Sequence, residues 1–357
     1  MPRRTATLLA STLTLIALLC VALLAPTPYS EMSPGPTVNT LGDYGGSTVI
    51  SITGHKTYPA TGNLNMTTVR VTGADYSMNL VEAMFGWERH DDKVVEHDTL
   101  YPQGQTAEES DQQNAEEFSE SQDSAKVAAL EELGYTVPSR VIVAAVVKDG
   151  ASDGVLHAGD VIKAVDGTAI TAADQVATQV TKHKPGEKVT FTVIRAADAK
   201  ANSTKTEQVT ITTRTSHDDG PTRAVVGIQA GIEHIFPFTI DIKLADVGGP
   251  SAGMMFALGI VDKLTPGNLT GGKFVAGTGT IDDNGKVGPI GGISLKTIGA
   301  RDKGAKYFLT PADNCEEAAK DVPSGLTLVK VSTLDDAMAA LKNISAGNDK
   351  ALPSCKS

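Results

Sequence analysis

Twenty consecutive uncharged residues near the N-terminus, Ala6–Ala25 (ATLLASTLTLIALLCVALLA), constrain this chain more than any other feature. As a helix, such a run reaches ~30 Å, the thickness of one bilayer core. Arg3 and Arg4 precede it, and no basic residue follows before Lys56. The positive-inside rule then puts the N-terminus in the cytoplasm and everything after residue 25 outside. The alternative is a cleaved signal peptide. A cut after Ala25 would place Leu23 at position −3 and Pro26 just past the bond, where a signal peptidase wants small residues at −3 and −1. Leu19 stands before Cys20, where a lipid-attachment site also needs a small residue. The expectation is a single-pass, uncleaved anchor over residues 1–26, touching the membrane through residues 6–25, with the remainder extracytoplasmic.

That topology gives the cysteines a meaning. Cys20 falls in the membrane, whereas Cys315 and Cys355 lie outside, where disulfides persist. These two are expected to pair and to tie the C-terminal tail to the last domain. Three cysteines without a Cys-x-x-Cys pair fit neither a disulfide scaffold nor a zinc ribbon or redox dithiol. With 42 acidic and 31 basic residues the net charge is −11, which leaves nothing to neutralise phosphates and excludes a nucleic-acid partner. The 357 residues allow two or three domains.

Residues 27–136 read as a stalk, a β-rich region and an acidic helix. The Pro/Gly/Thr-rich stretch 26–46 predicts an extended stalk, and Thr48–Thr53 and Met66–Thr72 predict strands. Residues Thr106–Asp123 hold seven acidic residues and no basic one, then run into a helical pattern that ends at Gly134. The acidic run is read as a solvated helix face.

Next, VIVAAVV at 141–147 predicts a strand buried on both faces. Turn signals at Gly159-Asp160 and Asp166-Gly167 bound another strand, and Thr171 can cap a helix running to about His183. Val189, Phe191 and Val193 alternate with polar residues, and Val209 and Ile211 repeat the pattern. This block, residues 137–215, resembles a PDZ domain, chiefly through GVLHAGDVIKAVDGTAI and the helix after it. The resemblance implies capture of an extended peptide segment by strand addition. Only Gly134-Tyr135-Thr136-Val137 stands where a Gly-Leu-Gly-Phe-like loop is expected, which leaves terminal-carboxylate capture open, as is a role as mere spacer.

The last block carries the chemistry. In DVGGPSAGMMFALGIVDKL, residues 246–264, a Gly-rich turn ends at Pro250 and a helix starts beside Ser251. Such a start leaves unpaired N–H groups and the positive end of the dipole near the serine, the parts that hold an oxyanion. Gly249-Pro250-Ser251-Ala252-Gly253 also satisfies the G-x-S-x-G elbow of α/β-hydrolases, but that fold needs a histidine after the serine, and none follows Ser251. Gly267 to Lys273 spells G-x4-G-K, yet Phe274 replaces the Ser or Thr that would hold magnesium. Gly277-x-Gly279 lacks the third glycine of a dinucleotide fingerprint, and Lys93 breaks a zinc pattern between His90 and His97. No cofactor and no metal are expected.

Without a suitable histidine, a neutral lysine can activate the serine. Lys263, Lys273, Lys286, Lys296 and Lys303 are candidates; Lys296 is the most attractive, but spacing alone does not choose. The sequence from Gly248 through PSAG to PIGG and on to residue 311 resembles the proteolytic domain of Lon-type serine proteases over about 120 residues. The resemblance implies that Ser251 is the nucleophile and Lys296 the general base of a Ser-Lys dyad, with Thr278 hydrogen-bonding the lysine and Gly249, Pro250 and Ala252 in support. It also implies an α+β catalytic fold over residues 222–345, followed by a tail at 346–357, and a homo-oligomer. Gly248 stands where some Lon enzymes carry an acidic residue, and no Walker motif is present. Order and content resemble the bacterial membrane-anchored Lon-like proteases that carry a PDZ domain. The expectation is therefore an ATP-independent serine endopeptidase acting on polypeptides. The rival is a non-catalytic PDZ scaffold or adaptor whose Lon-like domain serves assembly.

Overall fold

The computed structural model describes residues 3–102, 105–216, 222–244 and 247–355. Asp246, at the head of the Gly-rich segment, lies outside them, as do the outermost residues of the anchor and the tail. The chain forms two compact units, one from Met1–Thr136 with Phe238–Ser357 and the other from Val137–Pro237. Seven helices matter below: α1 (Arg3–Leu24), α2 (Leu80–Glu88), α3 (Ala107–Glu132), α4 (Ala173–Val180), α5 (Gly253–Leu264), α6 (Ile293–Asp302) and α7 (Leu334–Ala346). The principal strands are β1 (Tyr29–Asn39), β2 (Asn63–Val71), β3 (Lys93–Glu96), β4 (Ser139–Val146), β5 (Val161–Val165), β6 (Lys188–Ile194), β7 (Glu207–Thr212), β8 (Ile228–His234), β9 (Phe274–Gly277), β10 (Tyr307–Pro311) and β11 (Thr327–Val331).

The first unit is α+β, built on a mixed sheet of order β11-β10-β9-β2-β1-β3. The β2–β9, β9–β10 and β10–β11 pairs are parallel, and β1 is antiparallel to both β2 and β3. Two expectations change here. The predicted stalk is a strand: Tyr29–Asn39 lies inside the sheet, in register from Met32↔Val71 to Asn39↔Asn65, with an irregularity between Pro34 and Thr37. Prolines have no N–H for a ladder, so they concentrate where a bulge breaks the pairing. Residues 27–136 are also no separate region, because β1, β2 and β3 share one sheet with strands from 274 to 331. Gly277 pairs with Met66 across the whole intervening unit, a pairing that no local pattern reports.

Helix α5 is buried all round, with every residue but Lys263 buried, as befits a central helix. Helix α3 packs along it, the Phe118 ring meeting the Phe256 ring edge-on at 5.9 Å. The acidic residues Glu108, Asp111, Glu116 and Glu120 face solvent, while Phe118, Ser121 and Ala125 are buried. Thr106 and Glu109 close a capping box at its start.

The second unit has a sheet of order β7-β6-β5-β4-β8, over a core that includes Val143, Leu156, Val165, Val189 and Phe191. Strands β6 and β7 alternate in burial as their sequences predict. Strand β4 does not run buried on both faces: Val141 and Val143 are buried, but Ala144 and Ala145 are exposed. Small alanines make the run apolar without requiring a cover. The cap of α4 is Ala172 rather than Thr171, and the Gln175 side chain accepts from the N–H groups of Thr171 and Ala172. The unit also extends past residue 215, since β8 pairs with β4 from Ile228↔Val146 to His234↔Ser139 and forms the sheet's edge.

Candidate active site

Ser251 directly precedes Ala252, the N-cap of α5. The loop before it is held from α3. The Gly249 N–H donates to the Asn114 carbonyl at 2.9 Å, and the Ser121 hydroxyl donates to the Pro250 carbonyl at 2.9 Å. Gly249 adopts φ +77°, a conformation that side chains resist. Gly253 is a close-approach position: a Cβ there would lie 2.8 Å from Ser121 Oγ and 2.9 Å from Ile281 Cγ2. The contribution of α3 is absent from the sequence reading. Its signal is the Phe118, Ser121 and Ala125 stripe opposite the acids, which marks a face that packs on something.

Lys296 projects from α6, on the face of Ile293 and Ala300, both fully buried. Its side chain is 2% exposed, and its Nζ lies 2.7 Å from Ser251 Oγ and 3.1 Å from Thr278 Oγ1. Thr278 Oγ1 donates its own proton to the Ser251 carbonyl at 3.0 Å, so toward Lys296 it can only accept. A neutral amine that gives one N–H to Thr278 keeps its lone pair for the Ser251 hydroxyl. Burial alone pushes the Lys296 pKa down to about 7, because removing an ammonium from water penalises its charged form.

The other lysines stand apart from this arrangement. Lys273, Lys286 and Lys303 are exposed, and Lys263 lies at the far end of α5 beside Asp262. Two of the helix-start donors are already engaged: Met254 N–H donates to the Gly279 carbonyl at 3.1 Å and Gly253 N–H to the Pro250 carbonyl at 3.4 Å. Among the described residues, the N–H groups of Ser251 and Ala252 have no acceptor and remain for an oxyanion. The hairpin through Asn284-Gly285 joins Thr280–Ile281 to Val287–Gly288 and leads to α6. Asn314 holds the approach to α6, its amide accepting from Ile290 N–H and donating to Ile290 O, both at 2.9 Å. The next residue, Cys315, is disulfide-bonded to Cys355, with their Cα atoms 4.9 Å apart.

Residues 245–343 match the family model of the Lon protease (S16) C-terminal proteolytic domain, and residues 108–212 match that of the PDZ domain. A Lon protease of Azospirillum brasilense is 41% identical over 93 residues, covering 25% of this chain and 11% of that protein. Lon protease 1 of Bacillus subtilis (strain 168) is 34% identical over 120 residues, covering 31% of this chain and 15% of that protein. The chain thus spans less than a sixth of the length of these relatives. Among solved structures, the PDZ domain of the SdrC-like protein Lmo2051 from Listeria monocytogenes is 27% identical, covers 26% of this chain and 86% of that one, and superposes with a TM-score of 0.22.

Proposed function

We propose that this chain, which joins a PDZ domain to a Lon-type proteolytic domain, is a membrane-anchored, extracytoplasmic serine endopeptidase that works through a Ser251–Lys296 dyad without ATP. The 2.7 Å approach of the buried Lys296 Nζ to Ser251 Oγ carries the reading. A pKa near 7 leaves about half of Lys296 neutral at neutral pH, whereas a water-exposed lysine at ~10.4 would be neutral roughly once in a few thousand.

Neutral Lys296 accepts the Ser251 proton as Oγ attacks the peptide carbonyl carbon. The N–H groups of Ser251 and Ala252 stabilise the oxyanion. The Lys296 ammonium then gives its proton to the departing amine, leaving an acyl ester on Ser251. A water molecule loses its proton to Lys296 and attacks that ester, and Ser251 Oγ leaves with the proton returned. None of these steps uses a nucleotide, and the sequence holds no Walker motif. The exposed α1, uncharged past Arg3 and Arg4, supports the anchor, and the joined Cys315 and Cys355 support an oxidising compartment.

The PDZ domain receives the peptide. Among the described residues strand β8 leaves one edge unpaired, and facing it is α4. Between them lies a groove of about 750 Å³ lined by Val176, Ala177, Val180, Gly227, Ile228 and Ala230. An open edge beside an apolar groove suits an extended segment that adds a strand. Val225-Val226-Gly227-Ile228 leads into that edge, so the carboxylate-loop position falls at the end of this unit, not at Gly134.

The test is hydrolysis of an unfolded model protein by the full chain in detergent, without ATP, with products identified by mass spectrometry. Cleavage by the wild type that is lost in both Ser251→Ala and Lys296→Ala is expected. Cleavage that survives either substitution overturns the dyad.

A further inference from the structure

The short helix α2 is built inside out for a water-soluble surface. Its buried side carries only the small residues Ala83 and Gly86. Its outer side carries Leu80, Met84 and Trp87 at i, i+4 and i+7, exposed by 42%, 60% and 53%, with Phe85 beside them at 62%. Tyr76, just ahead of the helix, adds a ring exposed by 48%. Gly86 is pressed onto the sheet so closely that a Cβ would meet Val94 Cγ2 at 2.6 Å, so the helix cannot roll its large residues inward.

This patch is tied to the end of the apolar helix. Helix α1 stops at Leu24, and two residues later Pro26 forms a β-bridge with Asn79, the N-cap of α2. Thr27 then donates to the Met78 carbonyl twice, from N at 2.7 Å and from Oγ1 at 2.9 Å. Asn79 and Glu82 close a capping box that holds this nine-residue helix in place. Trp87 also packs edge-on against Tyr29, the first residue of β1, at 5.3 Å. If α1 spans a bilayer, α2 emerges at the bilayer surface. Exposed Trp and Tyr rings with large aliphatic neighbours suit the headgroup–acyl boundary. Glu82 and Glu88 against Arg89 leave no basic surplus, so the apolar boundary, not an anionic headgroup, is the recognised feature.

We infer that α2 and Tyr76 form a second membrane contact, a helix lying in the outer leaflet beside the exit of α1 with Leu80, Met84, Phe85 and Trp87 immersed. The inference rests on the anchor proposed above and adds a fixed posture to it: the first unit is held against the membrane and not swung from a tether.

Trp87 is the only tryptophan of the chain, so its fluorescence reports on this contact directly. The full chain is reconstituted in phosphatidylcholine vesicles with and without acyl-brominated phosphatidylcholine, and iodide is titrated from the aqueous side. In parallel, Leu15→Trp in a Trp87→Phe background probes the middle of α1. The expected result is that bromolipid lowers Trp87 emission by about half and that iodide barely acts. Quenching of the tryptophan introduced in α1, with Trp87 untouched by bromolipid and open to iodide, overturns the inference and leaves the anchor standing. Trp87 shielded from iodide yet unquenched by bromolipid also overturns it, since protein would then cover the patch. If neither tryptophan is quenched by bromolipid, the anchor itself is wrong and the inference falls with it.

Discussion

Ser121 Oγ donates a 2.9 Å hydrogen bond to the carbonyl of Pro250, the residue immediately before Ser251. Ser121 lies on α3 and is separated from Pro250 by the entire second unit in sequence, yet it fixes the peptide that aims Ser251. The acidic helix is thus a wall of the site as well as a solvated surface.

Ser121→Ala is expected to lower kcat by about tenfold, the loss of roughly one hydrogen bond in the transition state, with KM within about twofold. Steady-state kinetics on a fixed peptide check this. Equal loss in kcat and gain in KM, or a fall explained by the folded fraction alone, would reduce Ser121 to a packing residue.

The pH dependence follows from Lys296. Its folded pKa lies near 7, below the ordinary 10.5, and in the proposed dyad the neutral amine is the active form. Activity is expected to rise with pH through a midpoint near 7 and then to level. A profile flat from about pH 6 to 9 would mean that no titrating lysine limits the rate.

Stability should move with the same group. The folded lysine sheds its proton near 7 and the unfolded one near 10.5, so between these values the unfolded state binds more protons and stability rises with pH. The penalty is fully present below about 7 and gone above 10.5. At roughly 1.4 kcal/mol per pH unit this is a few kcal/mol. Lys296→Met is therefore expected to stabilise the fold, and by more at pH 6 than at pH 10, in denaturant unfolding. A gain that does not change with pH would contradict burial as the cause of the depressed pKa.

Ala177 is exposed and lines the groove between α4 and β8. Ala177→Arg is expected to weaken binding of an extended-peptide library by about tenfold without moving the thermal midpoint, since no core side chain changes. Unchanged binding would place peptide capture elsewhere.

What the sequence disclosed and what it hid divide along physical lines. Periodicity within one element was readable: Val189, Phe191 and Val193 face the core as their alternation says, and Asn284-Gly285 turns a hairpin. The Ser251, Thr278 and Lys296 positions come from motif resemblance, and their side chains do converge. Long-range pairing was not readable. Tyr29–Asn39 looked like a stalk because Pro34, Gly35 and Pro36 mask a strand, and β8 seemed to belong with the following domain because nothing local marks its pairing with β4. The same blindness hid Ser121, whose partner Pro250 is 129 residues away in sequence.

The most direct test of the dyad is to trap the acyl-enzyme. The full chain is mixed with an activated peptide ester, quenched in acid after increasing times at several pH values, and the adduct is located by peptide mass spectrometry. The dyad predicts acylation on Ser251 alone, at a rate that climbs through a midpoint near pH 7, and no adduct in Lys296→Ala. An adduct on another residue, or acylation of Ser251 at an undiminished rate without Lys296, would contradict it.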